Sequence, residues 1–533
     1  MNNTIKEVKS IIKKDSKFVK KIKQKIYGWH RTIGIITIIP VIFWTLSGLM
    51  HPFMAHFFKP EIANERIDLN TIEKHQLKFS IQEVLSKNNI SEIKNFRIVQ
   101  FDNTTFYQVK TIKDKLEYFD SKNAKKLENG DLKYAHWLAR FFIDDQKSRI
   151  IKTNLITNFT SQYKYVNRYL PVYKVVFNRS DAMEVYVETV SSKLATYNPK
   201  SRQFFIWFFD TFHNWAFLDT ISNNGIRIFI MLFLLSIICF SAISGIIIYG
   251  LFWKQFKKTD GLVFKKGIRK YHRQIGVWIS IFTLFFAFSG AYHATTKWEP
   301  NILDKMIYEP KIAINYLKTP SNSLIIDWKK FENISLVNYN NNLYYRCVLI
   351  ENGKYFKPKF KNKTTEENKE FPLSEIVYIN SKTNTLSKNL DINYALFLAS
   401  YFDNTATKSN CCEMESFSEK SRSLTDYQIK EISILDDFDR REYGFVNKRL
   451  PVVKIVYNDP NKTSVYVEIA TSRLAAKIEN SDRYEGYSFA FLHKFLFMDW
   501  AGKNLRDLSM VIAALTVLIV SVLGLILFLK RKY

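Results

Sequence analysis

Tyr27-Gly28-Trp29-His30-Arg31, followed by Gly34, Ser47-Gly48 and His51, returns later as Tyr271-His272-Arg273 with Gly276, Ser289-Gly290 and His293. The offset from the first histidine onward is a constant 242, and the two histidines stand 21 residues apart in both copies. Self-similarity of this kind marks a duplicated unit and fixes how every other segment is read. Further along, Val166-Asn167-Arg168-Tyr169-Leu170-Pro171-Val172 returns as Val446-Asn447-Lys448-Arg449-Leu450-Pro451-Val452. Val185-Tyr186-Val187-Glu188 returns as Val465-Tyr466-Val467-Glu468, and Phe212-His213 with Asp219 as Leu492-His493 with Asp499. The offset there is 280, so the second copy carries 38 extra residues, expected in loops around 355–370 and 405–425. The units run roughly from 20 to 253 and from 262 to 533.

Four apolar runs, 32–54, 226–253, 274–296 and 507–529, each approach the roughly 20 residues that a bilayer core requires. The first has a long basic flank and a full-length apolar run with no small-residue cleavage site after it, so it reads as an anchor rather than a removable signal. The formal net charge is +28, and +18 of it lies beside the spans: ten Lys or Arg against two acids in 1–31, eight against one in 254–273, and three against none in 530–533. A nucleic-acid footprint would cluster on a binding face. Short basic segments beside spans stay in the cytoplasm. The chain thus reads as a cytoplasmic basic segment 1–31, span 32–54, outer domain 55–202, interfacial helix 203–225, span 226–253 and cytoplasmic loop 254–273. The second unit follows as span 274–296, outer domain 297–482, interfacial helix 483–506, span 507–529 and cytoplasmic tail 530–533. The predicted class is membrane α-helical plus α+β, with four spans in two tandem repeats and lipid as the surrounding partner.

Each outer domain reads as mixed α and β. In the first, Ser80–Lys87 has helical spacing, Asn95–Gln100, Thr105–Thr111 and Leu116–Phe119 read as short strands, and Tyr134–Phe142 as an amphipathic helix. Val172–Asn178 and Glu184–Thr189 form a second strand pair, before an aromatic stretch, Phe204–Leu218, suited to a membrane surface. Four cysteines make no disulfide framework; Cys239 lies in a span, Cys347 in a strand-like run, and the adjacent Cys411-Cys412 in a loop. The chain has no Cys-x-x-Cys-His, glycine-rich dinucleotide motif or nucleophile elbow, so covalent haem attachment, a nicotinamide or flavin domain and hydrolase machinery are not visible.

Six of the nine histidines fall in repeated positions: His30, His51 and His213, then His272, His293 and His493. Twenty-one helical residues rise about 31 Å and return to within roughly 60° of the starting direction. His30 and His51 therefore sit at opposite membrane faces and look to one side, as do His272 and His293. Imidazoles directed into a bundle at two depths suit axial ligation of haem iron. The expected ligand pair at the cytoplasmic end is His30 with His272. At the outer end, His51, His213, His293 and His493 hold one haem or two, paired within each unit or across them, which gives two or three non-covalent haem b groups and makes iron the metal. Arg31 and Arg273 beside the inner histidines are candidates for haem propionates or lipid phosphates. Phe43, Trp44, Trp278, Phe282, Phe285 and Phe286 read as packing residues or as pocket lining. His56, His75 and His136, which have no repeated counterparts, read as structural.

His-Arg-x-x-Gly opening a span, Ser-Gly near its end, a histidine just after, and a Leu/Phe-His before the next span together resemble the PepSY-associated transmembrane family over nearly the whole chain. The outer segments resemble PepSY domains, with strands closing on Asp120-Ser121-Lys122 and on Asn380-Ser381-Lys382. The resemblance implies a bacterial inner-membrane protein of iron uptake, with both termini cytoplasmic and large periplasmic domains. It also implies an oxidoreductase activity, electron transfer through haem to a ferric siderophore or other iron chelate. Some relatives carry a fused reductase domain; this sequence shows none, so electrons are expected from a separate cytoplasmic protein or a membrane quinol, with no nucleic-acid partner. Two other readings compete. In one, the chain is a membrane-anchored PepSY binding or inhibitory module without redox activity, which leaves the repeated histidines without a use. In the other it is a transporter, which the repeats favour but which four spans with no broken helix and no intramembrane acid disfavour.

Overall fold

A computed structural model of the protein describes residues 2–58, 62–64, 66–67, 70–221, 223–253, 267–298, 306–356, 371–387, 390–410, 423–439 and 442–530. Along the first half run α1 (Asn2–Phe57), α2 (Ile81–Lys87), β1 (Glu92–Phe101), β2 (Thr104–Thr111), β3 (Leu116–Asp120) and α3 (Gly130–Ile143). β4 (Ile150–Ile156), β5 (Val172–Phe177), β6 (Glu184–Glu188), β7 (Lys193–Asn198), α4 (Lys200–Phe212) and α5 (Asn224–Leu251) complete it. The second half runs α6 (Ile268–Thr295), β8 (Ile312–Ala313), β9 (Phe331–Tyr339), β10 (Asn342–Phe356), β11 (Phe371–Asn380), β12 (Leu386–Ser387) and α7 (Leu390–Asn410). It closes with β13 (Ile429–Leu435), β14 (Val452–Tyr457), β15 (Ser464–Glu468), β16 (Arg473–Ile478), α8 (Asn480–Ser488) and α9 (Lys503–Leu529). The chain divides into a helical unit, Met1–Lys59 with Arg202–Pro300 and Ser481–Tyr533, and a mixed unit, Pro60–Ser201 with Asn301–Asn480.

In the helical unit, Gln24–Met54 of α1 together with α5, α6 and α9 are long and apolar enough to cross a membrane, with mean hydropathies of 2.1, 2.6, 1.7 and 3.0. This makes the chain a multi-pass membrane protein. The basic segment expected ahead of the first span continues the same helix, since α1 begins at Asn2. The four helices close a ring in which α1 and α6 each touch α5 and α9. Leu235, Ile238 and Ala287 lie buried inside it against Val41, Trp44 and Ala291, whereas Ile39, Phe229 and Trp278 face outward. Hydroxyls inside spans return their protons to carbonyls one turn back, Thr37 to Ile33, Ser47 to Phe43 and Ser289 to Phe285, which removes a polar cost in lipid. The expectation of spans without an acid is corrected by Asp507: it lies in α9, is buried, and its carboxylate stands 2.9 Å from His56 Nε2.

Among the described residues, the mixed unit contains four antiparallel sheets of four strands, ordered β3-β2-β1-β8, β4-β5-β6-β7, β12-β11-β10-β9 and β13-β14-β15-β16. Helix α3 packs Tyr134, Leu138 and Phe142 against Val99 and Phe101 on one sheet and Val175, Val185 and Val187 on the next. Helix α7 does the same with Tyr394, Leu398 and Phe402 against Tyr378, Ile455 and Val467. Ile81, Val84, Ile93 and Tyr107 share one core with Phe331, Ile334, Tyr345 and Val377, so segments expected as two outer domains form a single body. Most of 355–370 and 405–425, and Cys411-Cys412, lie outside the described residues.

Candidate functional site

The repeated histidines are held at two levels of the helical unit by contacts that recur in matching register. On α1, His30 Nδ1 lies 3.1 Å from the Ser241 carbonyl and 2.9 Å from Ser244 Oγ on α5. On α6, His272 Nδ1 lies 3.1 Å from the Val520 carbonyl on α9. A carbonyl oxygen can only accept, so Nδ1 carries the proton in both rings and Nε2 keeps its lone pair. Gly245 and Gly524 make the close approach possible: a Cβ on either would stand 3.3 Å from the Cε1 of His30 or His272. Sequence reading missed both glycines, although they occupy corresponding places in the second span of each half.

At the second level, His213 Nδ1 lies 3.1 Å from Ser47 Oγ, and His493 Nδ1 lies 3.1 Å from Ser289 Oγ. Each serine has already given its proton to a carbonyl one turn back, so the hydroxyl accepts from Nδ1–H and both rings again leave Nε2 free. Trp44 Nε1 donates to the His213 carbonyl at 2.8 Å. The His213 and His493 rings stand 6.5 Å apart between centroids, with their planes at 89°.

The chain reaches these positions by a sharp reversal. Trp215 and Phe495 take left-handed φ values of 54° and 51°, and short 3₁₀ turns, Ala216–Thr220 and Leu496–Ala501, lead into α5 and α9. The ion pairs Arg227–Asp219 at 2.9 Å and Arg506–Asp499 at 2.7 Å tie each turn to the span that follows. In place of one continuous interfacial helix over 203–225 and over 483–506, each half has a helix, a reversal and a turn. Enclosure in this setting pushes the His213 imidazole down to about 4 and His493 to about 3, with neighbouring histidines adding to the effect, so both rings are neutral.

His51 and His293 flank this pair. Phe209 stacks on His213 at 4.4 Å and is also the ring neighbour of His51 at 6.2 Å; Phe489 stacks on His493 at 4.7 Å and contacts His293 at 4.5 Å. His293 Nδ1 is held 2.6 Å from the Glu485 carboxylate. His75 pairs with Glu73 and His136 Nε2 with Thr153 Oγ1, both in the mixed unit. Arg31 is exposed and Arg273 half-buried. Trp44 stacks on Trp215 at 5.0 Å, Phe43 meets Phe212 at 5.2 Å, Phe282 and Phe286 pack on Phe495, Phe285 adjoins Phe282, and Trp278 faces outward. Among the described residues, no three His, Cys, Asp or Glu side chains converge as ligands of a bare metal ion.

A family profile, the PepSY-associated TM region, matches residues 144–531, from just after α3 through the last span. The chain belongs to the PepSY-associated transmembrane family. No curated protein matches it. The matched region includes His213, His272, His293 and His493 and both left-handed reversals.

Proposed function

We propose that this protein is a haem-holding electron conduit of a bacterial inner membrane that reduces ferric chelates, siderophore iron among them, on the periplasmic side during iron uptake. On this reading it is a tandem duplication with two PepSY-like segments in the periplasm and both termini in the cytoplasm. The observation that carries it is the recurrence, at two levels of one helix ring, of imidazoles whose Nδ1 is anchored and whose Nε2 is free.

The residues fit the group. Two imidazoles per level are too few for a bare ion but suit haem, whose macrocycle supplies the remaining ligands. A metal–imidazole bond of roughly 2 Å puts two ring centres on one ion roughly 6 Å apart, and His213 and His493 stand at 6.5 Å. His30 and His272 would hold the cytoplasmic-side haem. His213 and His493 would hold the outer one, a cross-unit pairing, since Phe209 and Phe489 adjoin both histidines of each within-unit pair. Bound there, haem supplies one-electron transfer.

The protein's own work is positional. Ser241, Val520, Ser47 and Ser289 fix the tautomer and aim of each ring. A haem held by two such imidazoles would supply electron transfer rather than a site for substrate, and reduction of a ferric chelate to ferrous would weaken the chelate's hold on iron. A dithionite-reduced minus oxidised spectrum of the purified protein, with pyridine-haemochrome quantification, is expected to show b-type haem; a flat trace overturns the reading.

A further inference from the structure

Between α6 and α9 the helical unit has a recess of about 350 Å³, lined by Gln274, Ile275, Trp278, Ile279, Phe282 and Thr516. Its walls are apolar apart from Gln274 and Thr516, and it lies beside His272: Gln274 and Ile275 follow that histidine within one turn, and Thr516 is one turn from Val520, whose carbonyl anchors the ring. The duplication is broken here. The places corresponding to Gln274, Trp278, Phe282 and Thr516 in the first half are Thr32, Ile36, Pro40 and Ile237, so the amide and both aromatic rings belong to the second half alone.

We propose that this recess is the site at which a membrane quinol binds and gives up its electrons. The inference rests on the haem reading above and names the donor for it. The Gln274 carboxamide is exposed at the start of the span and, among the described residues, makes no hydrogen bond, so both its donor and its acceptor are open to a ligand seated in the recess. A quinol brings what the lining lacks: ring oxygens for Gln274 and for Thr516 Oγ1, whose proton is given to the Ile512 carbonyl, and a flat ring for Trp278. The isoprenoid tail leaves through the open side into lipid. The volume falls at the lower end of the range for small-molecule sites. Oxidation of one quinol to quinone releases two electrons, passed singly toward the centre held by His30 and His272, and two protons, which leave to solvent at the basic cytoplasmic end.

The test uses the full-length, haem-loaded protein in detergent or nanodiscs. Decylubiquinol and a short-chain menaquinol are mixed with the oxidised protein and haem reduction is followed optically. A photoreactive azidoquinone is cross-linked in parallel and the labelled peptide mapped. The proposal expects label on α6 or α9, and at least a 10-fold slower quinol reduction in Gln274→Leu and Trp278→Leu, with haem content and dithionite spectrum unchanged. Unchanged rates in both variants, label elsewhere, or no reduction by either quinol in a protein that dithionite reduces would overturn it while leaving the haem reading intact. Absence of haem from the purified protein would instead sink the haem reading and this inference with it.

Discussion

Asn95 on β1 and Asn333 on β9 exchange hydrogen bonds with each other's strands through their side chains. The Asn95 carboxamide donates to the Leu336 carbonyl at 3.1 Å and accepts from the Leu336 N–H at 2.8 Å; Asn333 donates to the Ile98 carbonyl at 3.1 Å and accepts from the Ile98 N–H at 3.0 Å. Each amide thus stands in for a missing ladder step and joins the two halves of the mixed unit. Asn95→Ala or Asn333→Ala leaves three backbone groups without their partner, the two on the facing strand and the N–H of the next residue, and should cost about 1–3 kcal/mol. Denaturant unfolding of the purified protein checks this, and a loss near zero for both would show that water replaces the amides.

Arg449 holds the same two halves together elsewhere. Its guanidinium is buried, 2.8 Å from Glu468, 3.8 Å from Glu188 and 4.7 Å from the Tyr169 ring centre. The residue in its place in the first half is Tyr169 itself, so one arginine serves both glutamates. Arg449→Ala removes the closest cation from Glu468, leaving Arg473 and Lys193 as charge neighbours of both carboxylates and the Ser191 and Thr471 hydroxyls as donors, and is expected to cost up to about 3–5 kcal/mol. Adding Glu188→Gln and Glu468→Gln should restore most of that loss in thermal melts.

Much of this was legible in the sequence. Residues 95–100, 105–111 and 116–119 read as strands fall within β1, β2 and β3, because β-branched and aromatic residues alternate there. The four apolar runs match the four long helices because lipid imposes length and hydropathy. β4 and β7 were not read: β4 exposes Ile151 and Leu155, and β7 is short with Lys193 at its head, so neither alternates cleanly. The shared core of the mixed unit was also hidden, since no local pattern says which of two similar sheets will meet. At the histidines, spacing showed which ones recur. It did not show the Gly245 and Gly524 contacts or the Phe209 and Phe489 stacks, which depend on the reversals at Trp215 and Phe495.

Glu332 gives the mixed unit a pH dependence of defined sign. Burial raises its carboxyl to about 7, against partial offsets from a Ser374 hydroxyl at 3.4 Å and from Arg346 and Lys193. The folded protein therefore keeps a proton that the unfolded chain releases above about 4.5. Stability from this group is undiminished below that pH, falls by roughly 1.4 kcal/mol per unit as pH rises toward 7, and is level above. Glu332→Gln should flatten that part of the stability profile in melts between pH 4.5 and 8; an unchanged slope would mean the carboxyl ionises freely in the fold.

The histidine levels separate by variant. Gly245→Val and Gly524→Val would place a Cβ 3.3 Å from the Cε1 of His30 or His272, with two methyls beyond it. On the proposed haem reading, both should lower haem content at the His30–His272 level, as His30→Ala and His272→Ala should, with the centre at His213 and His493 retained. On the proposed pairing, His213→Ala and His493→Ala should each remove the same haem, because the two rings stand 6.5 Å apart. His51→Ala and His293→Ala should leave the haem count unchanged and alter only its surroundings. Pyridine-haemochrome and iron quantification across these variants decide the matter. Loss of haem in His51→Ala with His213→Ala unaffected would reassign the ligands to the spans, and a count of three in the parent protein would restore within-unit pairing, with Phe209 and Phe489 turned aside.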